Sequence, residues 1–265
     1  MRPWLPVFAL VLAGFGPMSA RGQSVDEPDE IETDRDSFTF ATTTAGAGRS
    51  ILEASYSFID NRLGPEAHSL PELLVRRGIG DRFELRFGYN YEAGGPGTVS
   101  GSEVGGEDIV AETESRVLYG MKVKSSEQDG WIPSSAAILQ GYTPTYGPST
   151  ASTMVVGEAF GWTLPNGWVW DTAMRYGTGY DEGDAFNQWA PSTVLKIPVG
   201  ERWNVHAEYF GILSSGKEKP IDSQFASFGG HVLLTRDVEV GVRFGWGLND
   251  TSANFFSNVG AGIRY

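Results

Sequence analysis

Ten residues have the chemistry and the placement to line an aqueous path or to build a buried charge network: Glu84, Arg86, Arg116, Lys122, Asp171, Arg175, His206, Glu208, Glu239 and Arg243. Several fall two residues apart, as Glu84 with Arg86 and His206 with Glu208. In an extended chain that spacing puts both side chains on one face. Charges gathered on one face can pair across neighbouring strands and fill an interior, or they can line a pore and set its ion preference. The mixture of signs favours the paired network.

No pattern for bond-making chemistry accompanies them. The histidines His68, His206 and His231 are far apart and lack metal-ligand spacing such as HExxH. His206 beside Glu208 reads most simply as an interior polar pair, with a metal or proton site as the less favoured reading. The glycines of GAGIR and GGPG do not open a helix after a strand, so they read as strand and loop glycines rather than phosphate-binding ones. The chain has no cysteine, which removes disulfides, thiolate metal sites, a cysteine nucleophile and a lipidated cysteine. The net charge of −13 argues against nucleic acid, whose phosphates require Lys and Arg. The expectation is therefore no catalytic residue, no metal, no cofactor and no nucleic-acid partner.

The elements that must carry the charges are strands. In RFELRFGYNY, Phe83, Leu85, Phe87, Tyr89 and Tyr91 share one face, and Glu84, Arg86, Gly88 and Asn90 share the other. VEVGVRFGWG repeats the scheme, with Glu239 and Arg243 opposite Val238, Val240, Val242, Phe244 and Trp246. RVLYGMKVK places Arg116 and Lys122 opposite Val117, Tyr119, Met121 and Val123, with Leu118 an exception on the polar face. WVWDTAMRY sets Asp171 and Arg175 against Trp168, Trp170, Met174 and Tyr176, with Val169 the exception. RWNVHAEYF sets His206 and Glu208 against Trp203, Val205 and Tyr209. A helix would scatter these charges around its circumference. Weaker strand signals lie near 52–58, 70–79, 132–142, 153–162, 189–197, 225–234 and 255–265.

Those segments fit an all-β fold, an antiparallel transmembrane β-barrel of about twelve strands. No run of 18 or more apolar residues follows the first segment, so no transmembrane helix is available, and a closed barrel is the other structure that satisfies its backbone in lipid. The connections alternate in length. GIGD, SSEQDG, LPNG, PVGE and TRD are short, whereas EAGGPGTVSGSEVGGEDIVAET, PTYGPSTA, TGYDEGDAF and SSGKEKPID read as longer linkers. Outer-membrane barrels have short periplasmic turns and longer external loops. Trp131, Trp162, Trp168 and Trp203 all lie beside the short turns, as an interfacial girdle would. A soluble β-sandwich also alternates, but it does not account for charges on one face set repeatedly against aromatics on the other.

Three regions divide the chain. Residues 1–22 read as a secretory signal, with Arg2 before a short apolar stretch from Trp4 to Phe15 and cleavage expected near Ala20 or Gly22. Residues 23–49 read as an acidic periplasmic segment whose SFTFATTTAGAG stretch is either a short strand or a piece tucked into the barrel mouth. Residues 50–265 are the barrel. The chain ends on Tyr265, preceded at alternate positions by Ile263, Ala261 and Val259. Tyr265 and Ile263 are the expected signal to the barrel-assembly machinery, and outer-membrane lipid is the expected partner of the apolar faces.

IETDRDSFTF, GRSILEASYSF, LPELLVRRGIGDRFELRFGYNY and the closing VGVRFGWGLN together resemble a family of outer-membrane transporters named for the meta-pathway of phenol degradation. Thr33, Asp34 and Arg35 match its acidic motif before the first strand; Asp36 stands where the family often has Pro, and Tyr146 follows Pro144 and Thr145 where it tends to have Gly. The resemblance implies a barrel with a transport role and no catalytic residues. The leading expectation is a channel for passive passage of small molecules, with hydrophobic or aromatic compounds implied by the resemblance. The alternative is a non-transporting structural or surface-interaction barrel. A membrane-embedded lipid hydrolase would need a Ser and His paired at the lipid boundary, and none is evident.

Overall fold

The computed structural model describes residues 30–62, 64–95, 113–147, 151–181, 184–216, 220 and 222–265. The expected signal segment 1–22 and residues 23–29 lie outside the described residues. Twelve strands follow one another: β1 (Ser50–Asp60), β2 (Ala67–Gly78), β3 (Phe83–Gly94), β4 (Thr113–Ser126), β5 (Ser134–Tyr146), β6 (Thr153–Thr163), β7 (Val169–Asp181), β8 (Asp184–Val199), β9 (Trp203–Ser215), β10 (Asp222–Thr235), β11 (Val238–Gly247) and β12 (Phe255–Arg264). Each pairs antiparallel with its neighbours in sequence, and β12 returns to β1, closing the barrel. Reciprocal backbone hydrogen bonds between Ser50 and Tyr265, at 2.8 and 2.9 Å, fasten the start of the seam. All five strong and seven weak strand signals are realised.

Period-two alternation sets the two faces. On β3, Glu84, Arg86, Gly88 and Asn90 are buried, while Leu85 and Phe87 are exposed on the outside. Tyr119, Met121, Val123, Phe160, Trp170, Tyr209, Phe228, Val242 and Trp246 continue that outer apolar surface around the barrel. In water such a surface would be unfavourable; against acyl chains it carries no such cost. Several of its tryptophans lie at the short-connection rim. Trp203 and Trp131 sit by the short connections, and Trp162 stacks on Trp170 at 5.0 Å.

The strands begin and end so that one rim carries the short connections 79–82, 127–133, 164–168, 200–202 and 236–237. The other carries 61–66, 95–112, 147–152, 182–183, 216–221 and 248–254. TGYDEGDAF departs from its expected linker role. β7 and β8 run through it, with Tyr180 paired to Ala185 and Asp181 to Asp184, leaving only two residues between the strands. Gly and Asp read locally as turn formers, but a ladder already established below them outweighs weak local preference.

Residues 30–49 are not a strand. They form a loop in the lumen. It starts at the short-connection rim, where the Ile31 amide donates to the Arg236 carbonyl at 2.9 Å. It reaches its deepest point near Phe38, and returns to the same rim, where Gly48 donates to the Gly78 carbonyl at 3.1 Å. Ile31 and every residue from Thr33 to Thr42 are buried. Two glycines make room for it. A Cβ on Gly78 would stand 1.8 Å from the Gly46 carbonyl oxygen, and one on Gly262 would stand 2.4 Å from Thr33 Cγ2. The wall and the loop therefore touch backbone to backbone or backbone to side chain, with no space for a side chain between them.

Candidate functional site

The lumen has two layers, and strand direction separates them. Glu53 near the start of β1, Arg76 near the end of β2, Glu84 and Arg86 at the start of β3, and Lys122 late in β4 all lie in the half nearest the short connections. So do Asp171, Lys196, His206, His231 and Glu239. The half nearest the longer connections holds the main apolar cluster, beside a smaller polar group around Arg116 and Glu92. Ile59, Ala67, Tyr142, Val155, Phe210, Ile212, Phe225 and Phe256 are buried there in one cluster, with Leu74, Leu118 and Phe38 reaching it from below. Leu118, the exception on its strand, thus faces inward because it belongs to this apolar layer.

The charged layer is built around a residue of the loop. Asp34 Oδ2 accepts from Arg86 Nη1 at 2.5 Å and Lys122 Nζ at 2.6 Å, and lies 3.8 Å from Arg76 Nε. Glu84 Oε1 accepts from both Arg76 (2.9 Å) and Arg86 (3.0 Å), and Glu53 Oε1 accepts from Arg76 Nη1 at 3.0 Å. Three carboxylates thus meet three cations, all buried. Burial alone would raise the Asp34 pKa, but Arg76, Lys122 and Arg86 hold it well below the usual carboxylate range. The cations also grip loop backbone. Arg76 Nη1 donates to the Glu32 carbonyl at 2.8 Å, and Lys122 Nζ donates to the carbonyls of Ala41 and Thr43, both at 3.1 Å.

Glu208 is a second anchor. Its carboxylate accepts from the Phe38 amide (3.1 Å), the Thr39 amide (2.7 Å) and the Thr39 hydroxyl (2.9 Å), and from Arg243 Nη1 (3.1 Å) on the wall. These bonds turn the loop tip so that the Phe38 ring stacks on Phe210 at 4.3 Å. Phe210 continues onto Phe225 at 4.9 Å. Below the tip, the Arg175 guanidinium lies 4.6 Å from the Phe38 centroid and 5.1 Å from that of Phe40. Arg175 Nε and Nη1 have no hydrogen-bond partner among the described residues, so the ring faces supply its compensation.

The remaining candidates distribute around these anchors. Asp171 pairs with Lys196 at 3.4 Å, and Lys196 reaches Glu32 of the loop at 2.7 Å. Glu239 accepts from the Thr33 hydroxyl at 2.6 Å. His206 is buried with neither ring nitrogen hydrogen-bonded among the described residues. Arg116 stands apart in the far half, paired with Glu92 at 3.2 Å and Glu114 at 3.3 Å. Glu84 and Arg86 are therefore linked to Glu239 and Arg243 through the loop rather than by direct pairing. Tyr265 and Ile263 lie on the outer surface at the end of the chain.

Sequence reasoning passed over Glu53, Glu72, Arg76, Lys196 and the inward phenylalanines. Arg76 sits in LPELLVRRG, where leucine and valine side chains on both faces hide the alternation. Read at period two, Glu72, Leu74 and Arg76 share the buried face, and that was the available signal. Phe210 and Ile212 continue the face of His206 and Glu208, so an inward face that switches from polar to apolar marked the second layer.

Solved outer-membrane barrels share this fold at low identity. An outer membrane channel from Pseudomonas putida F1 superposes with a TM-score of 0.62 at 11% identity, covering 84% of this chain and 98% of that one. The NanC porin gives 0.53 at 10% identity, covering 81% and 98%. The translocator domain of the autotransporter NalP from Neisseria meningitidis gives 0.51 at 12% identity, covering 83% and 89%. No curated protein matches the chain. The closed twelve-stranded barrel with its apolar exterior is a protein of the bacterial outer membrane. The profile of the family described as "Putative MetA-pathway of phenol degradation" matches residues 33–265, from the Thr33-Asp34-Arg35 of the lumenal loop to the last residue of the closing strand, and the chain belongs to that family.

Proposed function

We propose that this barrel is a channel for passive passage of small molecules, closed at rest by the loop 30–49, and that its cargo is apolar or aromatic. The observation that carries the reading is the lumen's division into an aromatic-walled half and a charged half that holds the loop. Phe210, Phe225, Phe256, Tyr142 and Ile212 form a buried, largely apolar layer whose chemistry suits small hydrophobic ligands once the loop withdraws. Phe38 fills its floor. A purely structural barrel of this size has no need of a separate segment held in its centre by ionic anchors. The likeness to an outer membrane channel and to a porin supports the same reading. The role is non-enzymatic.

The filled charge network favours one other reading, a non-transporting structural or surface-interaction barrel. Planar-bilayer recording separates them. A gated channel gives rare stepwise openings in the native protein and frequent ones in Asp34→Asn, with an anion-to-cation ratio that changes in Arg86→Leu. Silence in the native protein and in both variants would establish the structural reading. The exposed Ile263 and Tyr265 fit recognition by the barrel-assembly machinery, and Tyr265→Ala should lower the amount of assembled barrel without changing the conductance of each molecule.

A further inference from the structure

We propose that Asp36, His231 and Glu239 form a binding site for a divalent transition-metal ion that ties the lumenal loop to the barrel wall. The three come from three elements: Asp36 from the loop, His231 from β10 and Glu239 from β11. One potential ligand atom from each lies within 4.8 Å of the others. Nδ1 of His231 is 3.0 Å from Asp36 Oδ2, and its Nε2 is 3.8 Å from Glu239 Oε2. Only one imidazole nitrogen can bind a given ion, and with one atom per residue the set spans up to 4.8 Å; zinc bound at about 2.0–2.2 Å from each ligand needs ligand atoms roughly 3–4 Å apart, so a contraction of about an ångström closes the site.

Independent features point to a ligand here. Asp36 Oδ1 and Glu239 Oε2 are buried and have no hydrogen-bond partner among the described residues. A buried carboxylate oxygen without a partner is costly, and an ion is one of the few things that compensates it. The other oxygen of Glu239 is fixed by the Thr33 hydroxyl, which orients the free one. Lys196 is committed to Glu32 and Asp171. His206 lies diagonal to His231 on the inward face of the adjacent strand, since Asn204 pairs with His231. Its side chain is also buried and wholly unpartnered, which makes it a candidate fourth ligand. A small cavity bordered by Thr33, Asp36, Glu239, Arg243 and Asn258 adjoins the two carboxylates.

The donor set selects the class of ion. Imidazole with two carboxylates suits zinc, manganese or nickel, whereas calcium and magnesium favour oxygen-only shells. The test is titration of Zn²⁺ into the full mature protein, extracted in detergent, by calorimetry and by metal analysis after dialysis. Neither depends on whether the barrel conducts. One Zn²⁺ per chain is expected, with affinity at least tenfold lower in His231→Ala and in Glu239→Gln and unchanged in His68→Ala, whose ring lies on the outer wall against Tyr56. Asp36→Asn, in the loop and outside every strand, gives the same reading should a wall variant fail to assemble. A native protein that retains no Zn²⁺, or stoichiometric binding that survives in Asp36→Asn and in His231→Ala, would overturn the site.

Discussion

Arg76 and Arg86 stand directly opposite each other on β2 and β3, both buried and both facing the lumen. Like charges so placed repel. Glu84 accepts from both, and Asp34 lies between Arg86 and Lys122 with Arg76 at its edge. The wall alone supplies Glu53 and Glu84 against Arg76, Arg86 and Lys122; the third carboxylate comes from the loop. At this cluster the wall thus carries one more cation than carboxylate, and a segment outside the sheet completes the balance. That relationship makes the loop's docking and the wall's electrostatics a single property.

Asp34→Asn should release the loop while the barrel still assembles. Removing one member of a buried ionic cluster costs roughly 3–5 kcal/mol. The cost falls on the docked loop because the strands keep their own ladders. Limited proteolysis should then cut within residues 30–49, which should resist cleavage in the native protein, while heat-modifiable migration of the barrel is retained.

Phe38→Ala should loosen the same loop by a different route. Phe38 is fully buried, stacked on Phe210 and lying over Arg175. Truncating such a side chain costs roughly 3–5 kcal/mol. Bilayer recordings should show more frequent openings with ion selectivity unchanged, since no charge is altered. Selectivity that shifted as much as in Arg86→Leu would contradict the layered lumen.

Neighbouring positions on β3 should respond in opposite ways. Leu85→Arg places a charge against lipid, at roughly 2–4 kcal/mol near mid-depth, and should lower the yield of assembled barrel. Arg86→Leu removes a partner of Asp34 and should leave the barrel assembled with a looser loop. Assembly lost in Arg86→Leu and normal in Leu85→Arg would reverse the facing of the strand.

Loop docking should persist through mild acid. Asp34 has its pKa depressed in the folded protein, so its contribution is present above the unfolded value of about 3.9 and is lost as pH falls through the lower folded value. Protease resistance of residues 30–49 in Asp36→Asn, which removes the neighbouring acidic site, should therefore hold from pH 7 to about 4.5. Release at pH 6 would show that Asp34 is not the hub.

Orientation can be read from a chain that has no native cysteine. With an even number of strands and the short turns in the periplasm, Glu66→Cys in the connection between β1 and β2 should be labelled on intact cells by a membrane-impermeant maleimide. Glu201→Cys, between β8 and β9, should be protected until the outer membrane is opened. The reverse pattern would invert the barrel.

The strands and their faces were legible because period-two alternation is a local property: Glu84 and Arg86 against Leu85 and Phe87 assigns inside and outside from four residues. The closed ring of twelve followed from counting such segments and from the lack of any helix able to cross a bilayer. What the linear pattern could not hold is which inward groups meet. Asp34 reaches Lys122 across 88 positions, and Phe38 reaches Glu208 across 170. Those distances depend on strand register, on closure of β12 onto β1, and on a loop that has no periodicity of its own. The same limit separated His231 from Asp36 and Glu239, which carry no shared motif. A charge on a strand declares its face locally. Its partner is decided only when the sheet curves closed and brings walls and loop within a few ångströms.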